Sequence, residues 1–195
     1  MKMTVIEKHF VNSPEHTLQV ARRAQQLLDR IEIQAGGKYL DVGCGTGAAA
    51  RAIANRYELD VTGVDVDPKQ IEEAHGKDVS PRLHFQVMNA SKLQFSDAEF
   101  DIVATSMVTH HMPNWEQAFS EMVRILRKGG YLFYTDLMFP PWLSVVCPFL
   151  HPFVGLPSTK RLESLASRAG LTEIHQSHSG LQYSFILEKK KETIS

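Results

Sequence analysis

The chain has 195 residues, of which 43% are hydrophobic and 22% charged, and a formal net charge of -1. That length suits one α/β domain with a sizeable core, and the near-zero charge offers no field to draw in nucleic acid, so no nucleic-acid partner is expected. Two cysteines, Cys44 and Cys147, exclude a disulfide framework and paired zinc ligands, and suit a reducing, cytoplasmic setting.

The first residues lack the unbroken apolar stretch of a signal peptide, and no run is long enough to span a bilayer. A soluble protein is expected, with one domain over residues 1–195. Ser13-Pro14-Glu15 reads as a helix start, Ser as N-cap and Pro at the first helical position. Leu18, Ala21, Gln25, Leu28 and Ile31 follow at helical spacing, and Gly36-Gly37 closes this N-terminal cap over residues 1–36. Tyr39-Leu40-Asp41-Val42 reads as a buried strand that enters the turn Gly43-Cys44-Gly45-Thr46-Gly47, then an alanine-rich helix over residues 48–56. A second strand ends at Asp65, and Asp67-Pro68 caps a helix that runs to about His75. Residues 83–87 make a third strand, followed by a polar loop with Asn89 and Ala90, and residues 100–105 a fourth. A helix is predicted over residues 115–127, ended by Gly129-Gly130, and a fifth strand over residues 131–135. Residues 159–170 read as a last helix with Gly170 at its end. Residues 171–176 and 181–188 flank His178-Ser179-Gly180 as a terminal antiparallel pair.

Strands and helices alternate, with connections long enough for parallel crossovers. The right-handed crossover rule makes this an α/β fold, a Rossmann-like doubly wound sheet with helices on both faces. Ligands on such sheets sit beyond the carboxyl ends of the strands. Those ends carry residues 41–47, Asp65, Asn89, residues 106–111 and Asp136, one candidate surface.

Glycines at 43, 45 and 47 permit unusual backbone angles and a close approach of backbone to ligand, while the next helix starts with unpaired N–H groups nearby. Gly43-x-Gly45-x-x-Ala48 formally satisfies a dinucleotide fingerprint, and Asp65 stands where an acid would hold ribose hydroxyls. A nicotinamide-dinucleotide oxidoreductase is therefore one reading. Asp41 points elsewhere: a carboxylate before the loop repels a pyrophosphate and suits a ligand with an ammonium group. No catalytic domain of a dehydrogenase is expected in so short a chain.

The segment from Tyr39 to Gly47 resembles the first motif of the class I S-adenosylmethionine-dependent methyltransferases. The likeness continues in order through residues 61–67, 85–90, 100–103, His110-His111-Met112 and residues 123–131. Within that family it most resembles the ubiquinone/menaquinone-methyltransferase-like small-molecule group. The resemblance implies a seven-stranded sheet, mostly parallel with an antiparallel last strand, and S-adenosyl-L-methionine as cofactor, with S-adenosyl-L-homocysteine as product. It implies that Asp41 and the backbone of Gly43, Cys44, Gly45, Thr46 and Gly47 hold the methionine moiety and that Asp65 grips the ribose. Val66 would pack on adenine, Asn89 and the Ala90 N–H would address its edge, and Ser106 and Met107 would flank the methionyl end. Asn89 departs from the family's usual Asp, which implies a weaker preference at that edge.

The implied reaction is direct displacement, by a small acceptor, at the sulfonium methyl. Alignment supplies most of the rate, and a base matters only for an acceptor that must lose a proton. His110 and His111, after the fourth strand, and Asp136, after the fifth, are the candidate bases. No histidines show metal-ligand spacing, and no metal is expected. Residues 137–158 form an apolar insertion whose prolines forbid a regular spanning helix. It suits a lid over an apolar acceptor, a peripheral membrane surface or a homodimer contact. A scaffold that binds cofactor and works through this segment is the non-enzymatic reading.

Overall fold

The computed structural model describes residues 14–76, 80–140, 142 and 155–191. The predicted N-cap Ser13 and the centre of the apolar insertion lie outside them. The chain divides into two compact units, one up to Ala90 and one from Ser91. Among the described residues seven strands make one mixed sheet in the order β3-β2-β1-β4-β5-β7-β6, with helices flanking it.

In the first unit, α1 (Pro14–Leu28) precedes β1 (Lys38–Val42), α2 (Ala48–Arg56), β2 (Asp60–Asp65), α3 (Pro68–His75) and β3 (Leu83–Val87). β1, β2 and β3 pair in parallel, Val42 against Val64 and Asp65 against Val87. Tyr39, Leu40, Asp41 and Val42 are all buried, the continuous pattern of a strand covered on both faces. The N-terminal helix turns Leu27 and Leu28 inward, and Gln25 and Asp29 bond Ala52, Tyr57 and Arg56 in and beside α2. Leu18, expected on the inner face, is 50% exposed, because that face is used only towards the helix's C-terminal end. Asp67 caps α3 as expected, accepting from the Lys69 N–H at 3.1 Å.

The second unit holds β4 (Phe100–Ser106), a 3-10 turn (Thr109–His111), α4 (Trp115–Ile125), β5 (Leu126–Leu137), α5 (Thr159–Arg168), β6 (Leu171–Ser179) and β7 (Gln182–Lys189). β4 and β5 are parallel, while β7 runs antiparallel to both β5 and β6. Gly180, at φ +59, makes the tight β6–β7 turn possible. The buried face of α4 carries Trp115, Ala118, Phe119, Met122, Val123 and Ile125.

One expectation needs correction. Gly129-Gly130 does not end the helix: α4 stops at Ile125 and β5 starts at once with Leu126. The glycines form a bulge, since residues 126–131 on β5 face residues 100–102 on β4. A Cβ on Gly130 would sit 2.6 Å from the Asp101 carbonyl, so that approach requires glycine. Lys189 explains the early helix end, donating to the Val123 and Leu126 carbonyls at 2.7 Å each. Residues 91–99 hold no helix, in keeping with the loop expected before β4. The Arg124 guanidinium fastens this stretch to α4, donating to the Leu93 and Phe95 carbonyls at 2.9 Å and to Asp97 at 2.7 Å, while Glu121 accepts from the Leu93 N–H.

Candidate active site

In the first unit, β1 carries Asp41 into the interior, 5% exposed, where the Ala50 N–H of α2 donates to it. Burial, and then the Asp65 carboxylate, push its pKa up to about 7, against the pull of that amide. A carboxylate under this much strain is a natural partner for an ammonium group. The Cys44 thiol is pushed up by burial and by the charges of Asp41 and Asp65, so it remains a thiol. What Cys44 offers a ligand is shape and backbone.

The glycine turn is built tightly. Gly43, Gly45 and Gly47 all have positive φ. A Cβ on Gly47 would lie 2.4 Å from Cζ of Phe85, whose ring underlies the turn, whereas a Cβ on Gly45 would make an ordinary contact with Gln70 Oε1 at 3.8 Å. Arg51 locks the assembly, donating to the Thr46 carbonyl and, at 3.1 Å, to that of Ala74, with its guanidinium over the Phe85 ring. Most of the turn's amides are engaged internally. Gly43 and Cys44 donate to the Val64 carbonyl, Gly47 to that of Cys44, and Gly45 to Asp65 Oδ2 at 3.0 Å. A pyrophosphate needs such amides free, so this arrangement does not favour the dinucleotide reading.

Asp65 closes β2, with Oδ1 accepting from the Asp67 N–H at 2.9 Å. Val66 beside it is 57% exposed, and Val87, at the end of β3, is 53% exposed. Two bare apolar side chains at neighbouring strand ends suit the face of a flat ring. Val87 was not singled out from sequence, where it reads only as a strand residue. Asn89 is exposed and Ala90 buried in the loop that follows.

In the second unit, β4 ends at Ser106, whose hydroxyl is buried without a hydrogen-bond partner. Met107 adopts φ +58, rare for a non-glycine residue, held by its N–H to the Thr135 carbonyl and by Gln182, which donates to its sulfur. Asp136 is fully buried, and donors converge on it. Oδ2 accepts from the Val108 N–H at 3.1 Å, and from the Thr109 N–H and hydroxyl at 2.6 Å each. Oδ1 accepts from the Leu137 N–H and pairs with His110 Nδ1. With a carboxylate on Nδ1, that nitrogen carries the proton, and Nε2 is the accepting nitrogen of the neutral ring. The Tyr134 hydroxyl bonds Thr109 behind the carboxylate. Burial and the Asp136 charge raise the Tyr134 pKa far above the usual tyrosine range, so it stays neutral. His111 lies with its ring 3.9 Å from that of His110. Thr109 lay within the candidate stretch 106–111 without a role of its own, and Tyr134 was missed because nothing local in sequence joins residues this far apart.

The described ends of the apolar insertion lie beside this cluster. The Gly155 N–H donates to the His110 carbonyl at 2.9 Å, and the Phe139 N–H to the Pro157 carbonyl at 2.7 Å. A Cβ on Gly155 would come within 2.2 Å of the Thr109 carbonyl. Among the described residues no helix is long and apolar enough to cross a membrane, and no group of side chains could hold a metal ion.

Residues 40–134 match the family described as methyltransferase domain. The chain is 34% identical over 124 residues to the 27-O-demethylrifamycin SV methyltransferase of Amycolatopsis mediterranei, covering 62% of this chain and 46% of that protein. It is 37% identical over 142 residues to the O-methyltransferase resE of Aspergillus sclerotiorum, covering 70% and 52%. The chain resembles methyltransferases over residues 40–134. It spans about half the length of these curated relatives. The fold is also that of the PH0226 protein of Pyrococcus horikoshii, with a TM-score of 0.72 at 22% identity over 92% of this chain and 93% of that one.

S-adenosylmethionine, the cofactor which that resemblance implies, fits the residues present. Asp41 is a buried carboxylate whose neighbouring charge is the Asp65 carboxylate, and Val66 and Val87 present bare apolar surface. When bound, S-adenosylmethionine supplies a methyl group already activated on a sulfonium centre.

Proposed function

We propose that this protein methylates a hydroxyl group of a small, apolar molecule. The observation that carries the reading is the His110–Asp136 pair. In the first unit Asp41, the glycine turn, Asp65, Val66, Asn89 and Ala90 hold the cofactor. His110 Nε2 takes the proton of the acceptor hydroxyl. Asp136 has no free oxygen for that role, so it acts as a positioning residue: it holds the Nδ1–H tautomer and steadies the imidazolium that forms. His111 packs on His110 and helps set its ring plane.

Names of relatives support an oxygen acceptor, one being a 27-O-demethylrifamycin SV methyltransferase and another an O-methyltransferase. The narrower ubiquinone/menaquinone-like branch belongs to this proposal as an instance of a hydroxyl on an apolar body. The ends of residues 137–158, packed on the His110 turn, support a role for that segment in covering an apolar acceptor, in preference to a membrane or dimer contact. A single domain working in the cytoplasm completes the proposal.

Screening phenols, quinols, amines and thiols against a labelled methyl donor tests it directly. Phenols or quinols are expected to be methylated, and His110→Ala to lower kcat by about 10²–10⁴-fold, the usual worth of a general base. Asp136→Asn is expected to lower kcat while leaving S-adenosylhomocysteine affinity unchanged. Full turnover by His110→Ala on a hydroxyl acceptor would overturn the assigned base, and turnover of amines or thiols alone would overturn the acceptor class.

A further inference from the structure

Two residues apart on β5, Tyr134 and Asp136 share one face of the sheet, and both are fully buried. The Tyr134 ring packs edge-on against Phe119 of α4, with ring centroids 6.1 Å apart, so its hydroxyl stands at a fixed point. Among the described residues that hydroxyl has one partner, the buried Thr109 side chain, whose oxygen lies 2.6 Å from Asp136 Oδ2. The direction of the chain follows from the protons available. Asp136 as a carboxylate only accepts, so the Thr109 proton goes to it, and the neutral Tyr134 phenol donates to the Thr109 oxygen. A phenylalanine and a valine would fill the same space with little loss of stability, so the fold itself does not require the two hydroxyls.

What they supply is a second point of attachment. An Asp side chain turns easily about its last torsion. Oδ1 is shared between the Leu137 N–H and His110 Nδ1, so its aim at the imidazole depends on where Oδ2 is held. The Val108 and Thr109 amides that bond Oδ2 belong to the same turn as His110 and move with it. The Met107 and Gly155 N–H groups fasten the backbone on either side, to Thr135 and His110, without touching the carboxylate. The Thr109 hydroxyl is the one donor to Oδ2 that is itself tied to a group outside the turn, and each hydroxyl in the chain polarises the next. We propose that Tyr134 is a positioning residue for the base, acting through Thr109 and Asp136 to hold the ring plane and the Nδ1–H tautomer of His110. This role rests on His110 being the base proposed above, and it carries the machinery two side chains deeper, into the core.

Tyr134→Phe removes one oxygen and keeps the ring on Phe119, Thr109→Val removes the second hydroxyl, and Thr109→Ser keeps it. Two measurements on the intact protein test the role: nitrogen NMR shifts of the isotope-labelled His110 ring, and turnover of a phenol with a labelled methyl donor. The parent ring should show one tautomer, with its proton on Nδ1, and Tyr134→Phe and Thr109→Val a mixture of two. Both variants should lower kcat about 10-fold, a part of what a general base is worth, and leave KM and S-adenosylhomocysteine affinity unchanged. Thr109→Ser should recover most of the loss. In a His110→Ala background, Tyr134→Phe should change kcat no further, because members of one network do not add. A parent-like ring spectrum or a parent-like kcat in Tyr134→Phe, or the same loss with and without His110, would overturn the positioning role. Full turnover by His110→Ala would overturn the base itself, a result distinct from an unaltered ring spectrum, which needs no acceptor to be read.

Discussion

Asp41 should make the empty protein less stable than it would be without that charge. Its pKa rises from 3.8 to about 7 on folding, chiefly through burial. The folded state therefore holds this proton more tightly than the unfolded chain, so stability falls as pH rises from about 4 through 7. A difference of about 3 pH units corresponds to about 4 kcal/mol at neutral pH, as an upper bound. Asp41→Asn removes that charge and keeps an oxygen for the Ala50 amide, but its new NH₂ lacks a partner, which costs about 1–3 kcal/mol. The net expectation is an empty variant about 2 kcal/mol more stable at neutral pH. Urea unfolding of both proteins at about pH 5 and about pH 8 measures this, and the difference between them cancels other titrating groups. The parent should lose ground to the variant as pH rises. Binding should show the opposite preference: S-adenosylhomocysteine affinity of the parent should rise up to about pH 7 and then level, as an ionised Asp41 meets the ammonium, and Asp41→Asn should bind weakly throughout. A variant that is less stable at both pH values, with no change in the difference, would refute the reasoning.

Gly47→Ala combines a left-handed backbone, at φ +77, with a Cβ 2.4 Å from the Phe85 ring. Strain and forced repacking together should cost about 2–4 kcal/mol and lower Tm by about 5–15 °C, read by calorimetric melting. Lys189→Met leaves the Val123 and Leu126 carbonyls without their ammonium donor and should cost about 1–2 kcal/mol. Hydrogen exchange should then quicken around the α4–β5 junction, and uniform quickening across the chain would argue against a local cap.

The elements of the first unit were largely legible because their signals are local. Asp67-Pro68 announces a helix start, the alanines of α2 follow the glycine turn directly, and residues 83–87 alternate as a strand should. The terminal antiparallel pair was legible for the same reason, through its turn at Gly180. What escaped depends on distant partners. A glycine pair after a helix reads as a stop, and only the Asp101 carbonyl and Lys189 reveal it as a bulge in a strand that has already begun. The stretch 91–99 gives no hint that an arginine on α4 will hold it in place. In the candidate site, Asp41 and Asp65 stand out because they interrupt apolar strands. The partnership of Asp136 with His110 and Thr109 joins residues 26 and 27 positions apart, and no periodicity encodes it.

The engaged amides of the glycine turn bear on how quickly and at what entropic cost a ligand is taken up. A loop pinned by Val64, Asp65 and Arg51 over the Phe85 ring has little left to order when a cofactor arrives. Association should be close to a lock-and-key event in this unit, with a weak dependence of rate on viscosity-independent loop closure and with heat release dominated by new contacts. The same rigidity makes the turn indifferent to phosphate or sulfate in the buffer, since it has few amides left to offer an anion.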